Sequence, residues 1–418
     1  MSTAIDVDTH VAGPRKYRNS EAMLRAADPV WQAAAEHGLA GIHVDSESNN
    51  RLIVPATGHE FINMCSCSYL GLNYHPEIIQ GAIDALHDAK CTTLSLATTR
   101  IRPTLLARLE DELGDLFDAP VLPGVSCSAL TSGILPLLAS GHLTDGKPRV
   151  MVFDRFSHFN MAYIKPICAD ESLVLKCDHN DLEFLEDVCR KYPRVAYIAD
   201  GAYSMGGAAA LEGLLELQDR YGLFLYFDDS HSLSIMGRRG VGYTRSRMEL
   251  NPLTIIVASL GKGFGTGGGV AMLGEPSMFD LLQRHGGPIG WSQNMILPTI
   301  GASLASAAIH RSPELSRLQR TLRDNIDYFD QLFPTSLAGN GLPVRRIKIG
   351  DADEAVRISA ELYKRGFYSS AVFFPIVPKG EAGLRIMIRA DITAAQLASF
   401  VHNLTSLSCS EEATLCGA

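Results

Sequence analysis

Two apolar rhythms run through this chain, and they change at definite places. After Pro76, Ile78, Ile79, Ala82, Ile83 and Leu86 fall three or four residues apart, which predicts a helix with one buried face. Leu105, Leu109, Leu113 and Leu116 predict a second. Beyond them the pattern shifts to short unbroken apolar runs at residues 149–154, 194–200, 223–228 and 253–259, each ending in a polar residue. Helical stretches at 181–192 and 211–221 lie between them. Strands that are apolar without alternation are buried on both faces, so the pattern predicts an α/β fold with a mostly parallel sheet covered by helices on either side.

The two ends read differently. Residues 21–35 carry a helical pattern and residues 51–55 a short strand. From 302 to 333 the chain is largely helical. After that, strands at 344–349, 368–374 and 384–388 alternate with helices at 354–364 and 394–404, which predicts a smaller α+β unit. The resulting division is an N-terminal arm and helix (1–60, loose up to about 20), a large domain (61–300), a small C-terminal α+β domain (301–405) and a polar tail (406–418).

Composition narrows the function classes. With 418 residues, 46% hydrophobic and 20% charged, the chain is globular and not disordered. Lys plus Arg total 37 and Asp plus Glu 46, a net charge of −9, which argues against nucleic-acid binding through phosphate attraction. Nine cysteines, an odd number without framework spacing, argue against a disulfide scaffold. Cys65-Ser-Cys67 reads as a buried thiol pair, and no metal site is expected. No run of 18 apolar residues and no leader-like segment occur, so the expectation is a cytoplasmic protein without a membrane span.

In an open α/β sheet, ligands collect at the carboxyl ends of the strands. Here those ends carry His158, Asp200, Asp228-Asp-Ser-His231 and Ser259-Leu-Gly-Lys262-Gly-Phe-Gly. A lysine among glycines suits Schiff-base chemistry with a carbonyl cofactor, although alone it equally describes a solvated loop lysine. The segment lacks the spacing of a nucleotide P-loop. Asp228 and His231, three residues apart, suit the nitrogen and hydroxyl of a pyridine ring; alone they also describe a surface loop. Thr131-Ser132-Gly133 before an apolar stretch is a candidate phosphate-binding helix start, and Ser259 is a second phosphate contact.

Taken together, these segments resemble the α-oxoamine synthases among the fold-type-I, aspartate-aminotransferase-like pyridoxal-phosphate enzymes. Ser68-Tyr-Leu-Gly-Leu-Asn-Tyr-His-Pro76, Ser157-His158, Asp200-Gly-Ala-Tyr-Ser-Met-Gly206, Asp228-Asp-Ser-His231, Ser259-Leu-Gly-Lys262 and Phe374-Pro-Ile-Val-Pro through Leu384-Arg385 carry the likeness. The resemblance implies a seven-stranded, mostly parallel sheet and pyridoxal 5'-phosphate. The implied reaction condenses an amino acid with an acyl thioester, with decarboxylation, in a homodimer with a shared site. It implies Lys262 as the Schiff-base lysine, Asp228 on the pyridine nitrogen, His231 on the ring hydroxyl, His158 stacked on the ring and Ser204 nearby. Ser132, Gly133, Ile134 and Ser259 would hold the phosphate. Arg385, with Arg389 as a competitor, would clamp the substrate carboxylate, and Cys67 and Tyr69 would lie in the substrate site. Ser292 and Gln293 would reach a neighbour's phosphate.

Two positions depart from the family pattern. Cys67 stands where an asparagine is usual, and Leu106 where a histidine is usual. These departures keep a different carbanion reaction of the same cofactor open as an alternative: aldol-type cleavage, transamination or a condensation without a thioester. A non-catalytic scaffold is disfavoured because Lys262, Asp228 and His231 are all present. An anionic thioester would need local cations, with Arg100, Arg102 and Arg385 the first candidates.

Overall fold

The computed structural model describes residues 20–48, 50–94 and 97–408. The expected loose arm to residue 19 and most of the expected tail lie outside these residues. The last helix, Ala394–Ser408, runs past the expected start of that tail.

A seven-stranded sheet organises the molecule, in the order Val121–Gly124, Gly269–Leu273, Thr254–Ser259, Phe224–Asp228, Val195–Asp200, Val150–Asp154, Val174–Cys177. Gly269–Leu273 runs antiparallel to both neighbours, and every other pairing is parallel. Alternate residues of these strands point to opposite faces. Val152, Tyr197, Leu225, Phe227 and Ile256 join one core, while Met151, Phe153, Ile198, Tyr226 and Val257 join the other. That two-sided burial is why the strands read as continuous apolar runs.

Three sheet strands escaped the sequence pattern. Val121–Gly124 and Val174–Cys177 have four residues each, too few to show a period. Gly269–Leu273 follows a glycine run that reads as loop. The helix Phe159–Glu171 was also missed: its buried face holds Asn160 and Lys165 beside Met161, Ile164 and Cys168, so the apolar stripe is interrupted.

The stretch expected to be helical from 302 to 333 is two helices, Leu297–Arg311 and Pro313–Leu332. Ser312 separates them, capping the second through its hydroxyl with the Glu314 amide at 3.2 Å. The first of the two packs Gly301 against Gly81 of Pro76–Ala89, so residue 300 falls inside a helix of the large unit. C-terminally, Val344–Gly350, Ala382–Met387 and Ser370–Val372 form an antiparallel sheet in the order 344–350, 382–387, 370–372. The single strand expected at 368–374 divides at Ser369: Phe367–Tyr368 leaves to pair, in parallel, with His59–Asn63. Met387 N to Met64 O and Ala390 N to Tyr69 O, both 2.7 Å, add to the same seam.

Arg345 is fully buried, and its Nε and Nη2 donate to the two carboxylate oxygens of Asp330, both at 2.6 Å. Removing one member of such a pair strands the other charge. Asp330→Ala should therefore lower stability by about 3–5 kcal/mol in chemical denaturation, the cost of an uncompensated buried charge.

Candidate active site

Parallel strands deliver the polar groups to one edge of the sheet. Asp200 and Asp228 end neighbouring strands in register, and Ser259 ends the next. Lys262 follows in a turn shaped by Gly265, whose φ is +80°. A Cβ there would lie 2.4 Å from the Cβ of Leu72, so glycine alone lets the lysine turn rest on the Ser68–Pro76 segment.

That contact brings Tyr69 into line with the lysine. Lys262 Nζ lies 2.9 Å from Nε2 of His231, and Nδ1 of His231 lies 2.6 Å from the Tyr69 hydroxyl. Burial first, and then the charges of Lys262, Arg385 and His158, hold His231 well below its ordinary pKa. It is therefore a neutral imidazole: Nε2 accepts from Lys262 and Nδ1–H donates to Tyr69. Burial keeps the Tyr69 phenol well above its ordinary range, so it stays protonated. Cys67 lies half-buried and hydrogen-bonds the same tyrosine.

Asp228 is buried, yet it is well supplied with donors. Its Oδ1 accepts from the Ser230 amide at 3.0 Å, and its Oδ2 from Asn160 Nδ2 at 3.2 Å. The Cys127 thiol is 3.5 Å from the same Oδ2. Burial pushes that thiol well up from its ordinary pKa, so it is a donor and not an anion. Thr131 completes the cluster, bonded to Tyr226 at 2.8 Å and Asn160 at 3.4 Å. Asp200 accepts from the His158 amide at 2.8 Å. Burial, then the neighbouring Asp228 charge, moves its carboxyl well above the usual range. His158 caps the Phe159–Glu171 helix.

Asn160 and Cys127 are the residues that motif reading missed; Thr131 and Ser230 stood inside the quoted segments, but without this role. Asn160 had one visible signal, two positions after His158 in Ser157-His-Phe-Asn. Cys127 had none, since it looks like any apolar helix residue.

The other expected site residues fall as follows. Ser204 is half-buried in the turn after Val195–Asp200. Ser259 accepts from the Gly261 amide at 3.2 Å and donates its own amide to Ser230 Oγ at 2.8 Å. Arg385 lies on Ala382–Met387, and its Nε is buried without a partner. The competing Arg389 is committed: its Nε and Nη2 hold Asp391 at 2.9 and 3.3 Å. Arg102 pairs with Glu110, and Arg100 lies over the Trp291 ring at 5.6 Å. Leu106 is core, and Ser292 and Gln293 are exposed.

One expectation is corrected. Ser132, Gly133 and Ile134 do not open a helix; they lie in the middle of Cys127–Ala139. The amides of Gly133 and Ile134 are spent on the helix's own hydrogen bonds, and the Ser132 hydroxyl donates to Ser128 O at 2.8 Å. A Cβ on Gly133 would meet Gly286 O at 2.2 Å, so that glycine serves close packing. The helix begins at Cys127, capped by Ser126, whose hydroxyl accepts from the Ala129 amide at 3.1 Å.

A buried carboxylate supplied with donors, a lysine amine and a helix start on one sheet edge fit a ring that carries a basic nitrogen, a carbonyl carbon and a phosphate. The buried Nε of Arg385 is a donor still without an acceptor, as a carboxylate-binding arginine requires. Among the described residues, no group of three His, Cys, Asp or Glu could hold a metal ion, and no helix is long and apolar enough to cross a membrane.

Fold and site together fit a transferase of the fold-type-I architecture. Residues 59–404 match the aminotransferase class I and II family, and the chain belongs to that family. Within it the named relatives are α-oxoamine synthases. The chain is 27% identical to 8-amino-7-oxononanoate synthase of Thermoanaerobacter pseudethanolicus, over 88% of this chain and 94% of that one. It is likewise 27% identical to the mitochondrial 2-amino-3-ketobutyrate coenzyme A ligase of Bos taurus, over 79% and 78%. The fold matches serine palmitoyltransferase of Sphingomonas wittichii with a TM-score of 0.80 at 18% identity, over 93% of this chain and 98% of that one. The fold expectation and the family resemblance drawn from the motifs both stand.

Proposed function

We propose that this protein is a pyridoxal-phosphate-dependent acyltransferase of the α-oxoamine synthase type. It joins an amino acid to an acyl thioester, carried by coenzyme A or a carrier protein, with loss of carbon dioxide to give an α-aminoketone. The observation that carries this reading is the Lys262–His231–Tyr69 line beside a donor-supplied Asp228, with a free arginine edge at Arg385. Full-length kinship to synthases and ligases of this reaction type supports it.

Lys262 would hold the cofactor carbonyl, Asp228 its ring nitrogen, His158 its ring face, and His231 with Ser204 its hydroxyl side. The phosphate would meet Ser259 and the Cys127 and Ser128 amides in the first turn of Cys127–Ala139, in place of Gly133 and Ile134. When bound, that group supplies an electron sink for charge developing on the amino-acid Cα. Arg385 grips the substrate carboxylate, beside Cys67 and Tyr69. Lys262 Nζ, held by neutral His231, takes the proton from Cα. Cα bonds to the thioester carbonyl carbon, the C–S bond breaks, and the thiol leaves with a proton. Loss of the carboxylate as carbon dioxide leaves an electron pair on Cα, which takes up a proton from solvent through Lys262 Nζ to complete the balance. His158 would steady the oxyanion formed on the carbonyl, since both ring nitrogens of His231 are engaged by Lys262 and Tyr69.

The protein would work as a homodimer in the cytoplasm, with Ser292 and Gln293 contributing to the neighbour's phosphate site.

Incubation with amino acids and acyl thioesters, reading thiol release and carbon dioxide together, tests the reading. Equimolar release supports it. An amino-acid-dependent spectral change without thiol release overturns it in favour of another carbanion reaction. Arg385→Lys should raise the amino-acid KM by roughly 10–100-fold with a smaller change in kcat, because an ammonium cannot reproduce the two-pronged grip.

A further inference from the structure

A second set of polar groups lies under the Phe159–Glu171 helix, at the sheet edge formed by Val174–Cys177. Lys165 is 5% exposed, and its Nζ sits 4.9 Å from the centre of the Phe153 ring. Among the described residues it has no carboxylate or hydrogen-bond partner. Asp154, the nearest buried acid, is already committed to His179 at 3.1 Å, Tyr197 at 2.9 Å and the Phe156 and Asn180 amides at 2.7 and 3.2 Å. A buried ammonium without a counter-charge is costly, and native interiors seldom keep one.

Lys165 lines a cavity of about 610 Å³ whose walls include Lys176, Arg155, Ala162 and Phe184. That volume lies within the range of small-molecule sites. The two acids at its rim are engaged: Asp178 pairs with Arg155 at 2.9 Å, and Asp181 caps a helix through the Phe184 amide at 3.0 Å. Lys165 and Lys176 are therefore left facing the cavity without a direct ion pair among the described residues, and the three cations of the lining exceed its two carboxylates, with apolar walls beside them. The cavity shares no residue with the Lys262 site.

We propose that this cavity is an oxyanion-binding site that takes the carboxylate or phosphate group of a small organic anion on Lys165 and Lys176. Arg155 is the third cation, and Ala162 and Phe184 receive the apolar part of the ligand. The state of the unliganded amine agrees. Burial, and then the charge of Lys176, lower the Lys165 amine to about 8, against a weaker opposing pull from Asp154. A bound anion reverses that, favouring the charged form.

The test uses cofactor-loaded protein, so that the phosphate position of the main site is filled. At pH 8 the Lys165 amine is about half neutral and reacts with acetic anhydride, which mass spectrometry reads against exposed Lys379 as reference. Saturating inorganic phosphate or hexanoate should slow Lys165 labelling by about fivefold or more, the effect of raising its pKa by one unit or more. Protection by phosphate alone assigns a phosphate-bearing ligand, and protection by hexanoate alone assigns a carboxylate. Lys176→Met, at an exposed position, should keep the fold and weaken the protection. Lys165→Met should abolish saturable anion binding in calorimetry. Labelling unaffected by either anion, equal slowing by chloride at the same ionic strength, or protection undiminished in Lys176→Met overturns the proposal.

Discussion

Lys262→Ala should leave a folded protein that turns over roughly 10⁴-fold or more slowly and lacks the absorption near about 420 nm that a lysine-bound pyridoxal group gives. The size of the effect follows from the two tasks placed on one amine. On the proposed reading Nζ is both the covalent anchor of the cofactor and the base at Cα, held by its 2.9 Å contact with His231. Alanine removes both. The fold should persist, because Lys262 lies in a turn whose shape depends on Gly265 and Leu72 and not on the amine. Unchanged thermal unfolding beside lost turnover and a lost visible band is the expected pair of results. A visible band that survives the substitution would move the anchor elsewhere and overturn the site.

Asp228→Asn should lower kcat by about 10²–10³-fold, with little change in stability, as expected for losing one preorganised charge at a developing carbanion. Asparagine keeps the shape, but it cannot hold a proton on a ring nitrogen. The structure shows how the buried carboxylate is held: the Ser230 amide, Asn160 and the Cys127 thiol all donate to it. In the variant the new amide keeps one oxygen for these donors, and its nitrogen pairs with Asn160 only if that side chain turns its own oxygen toward it, giving up the bond from the Met161 amide. Equal kcat in variant and parent, measured by thiol release, would remove Asp228 from the mechanism.

The sequence showed most of the frame because most of it is governed by period. The runs ending at Asp154, Asp200, Asp228 and Ser259 have both faces buried, and their strands fall within a residue of expectation. Short strands such as Val121–Gly124 have too few residues to express a period. Phe159–Glu171 was obscured by placing Asn160 and Lys165 on its buried side. The site was legible wherever a chemical group follows a strand in sequence: Lys262, Asp228, His231 and His158. It was illegible where side chains meet only through the fold. Asn160 and Cys127 lie 68 and 101 residues from Asp228. The misplaced phosphate contacts have a single cause: Ser132 and Gly133 look like a helix start, but Ser126 takes the cap six residues earlier.

The parallel pairing of Phe367–Tyr368 with His59–Asn63 gives the molecule an interlock. Met387 N to Met64 O and Ala390 N to Tyr69 O stitch the segment carrying Tyr69 to the strand carrying Arg385. The phenol bonded to His231 and the guanidinium of Arg385 thus share one hydrogen-bonded seam, although they lie more than 300 residues apart in the chain. A substitution that loosens this seam would disturb both ends of the proposed site at once.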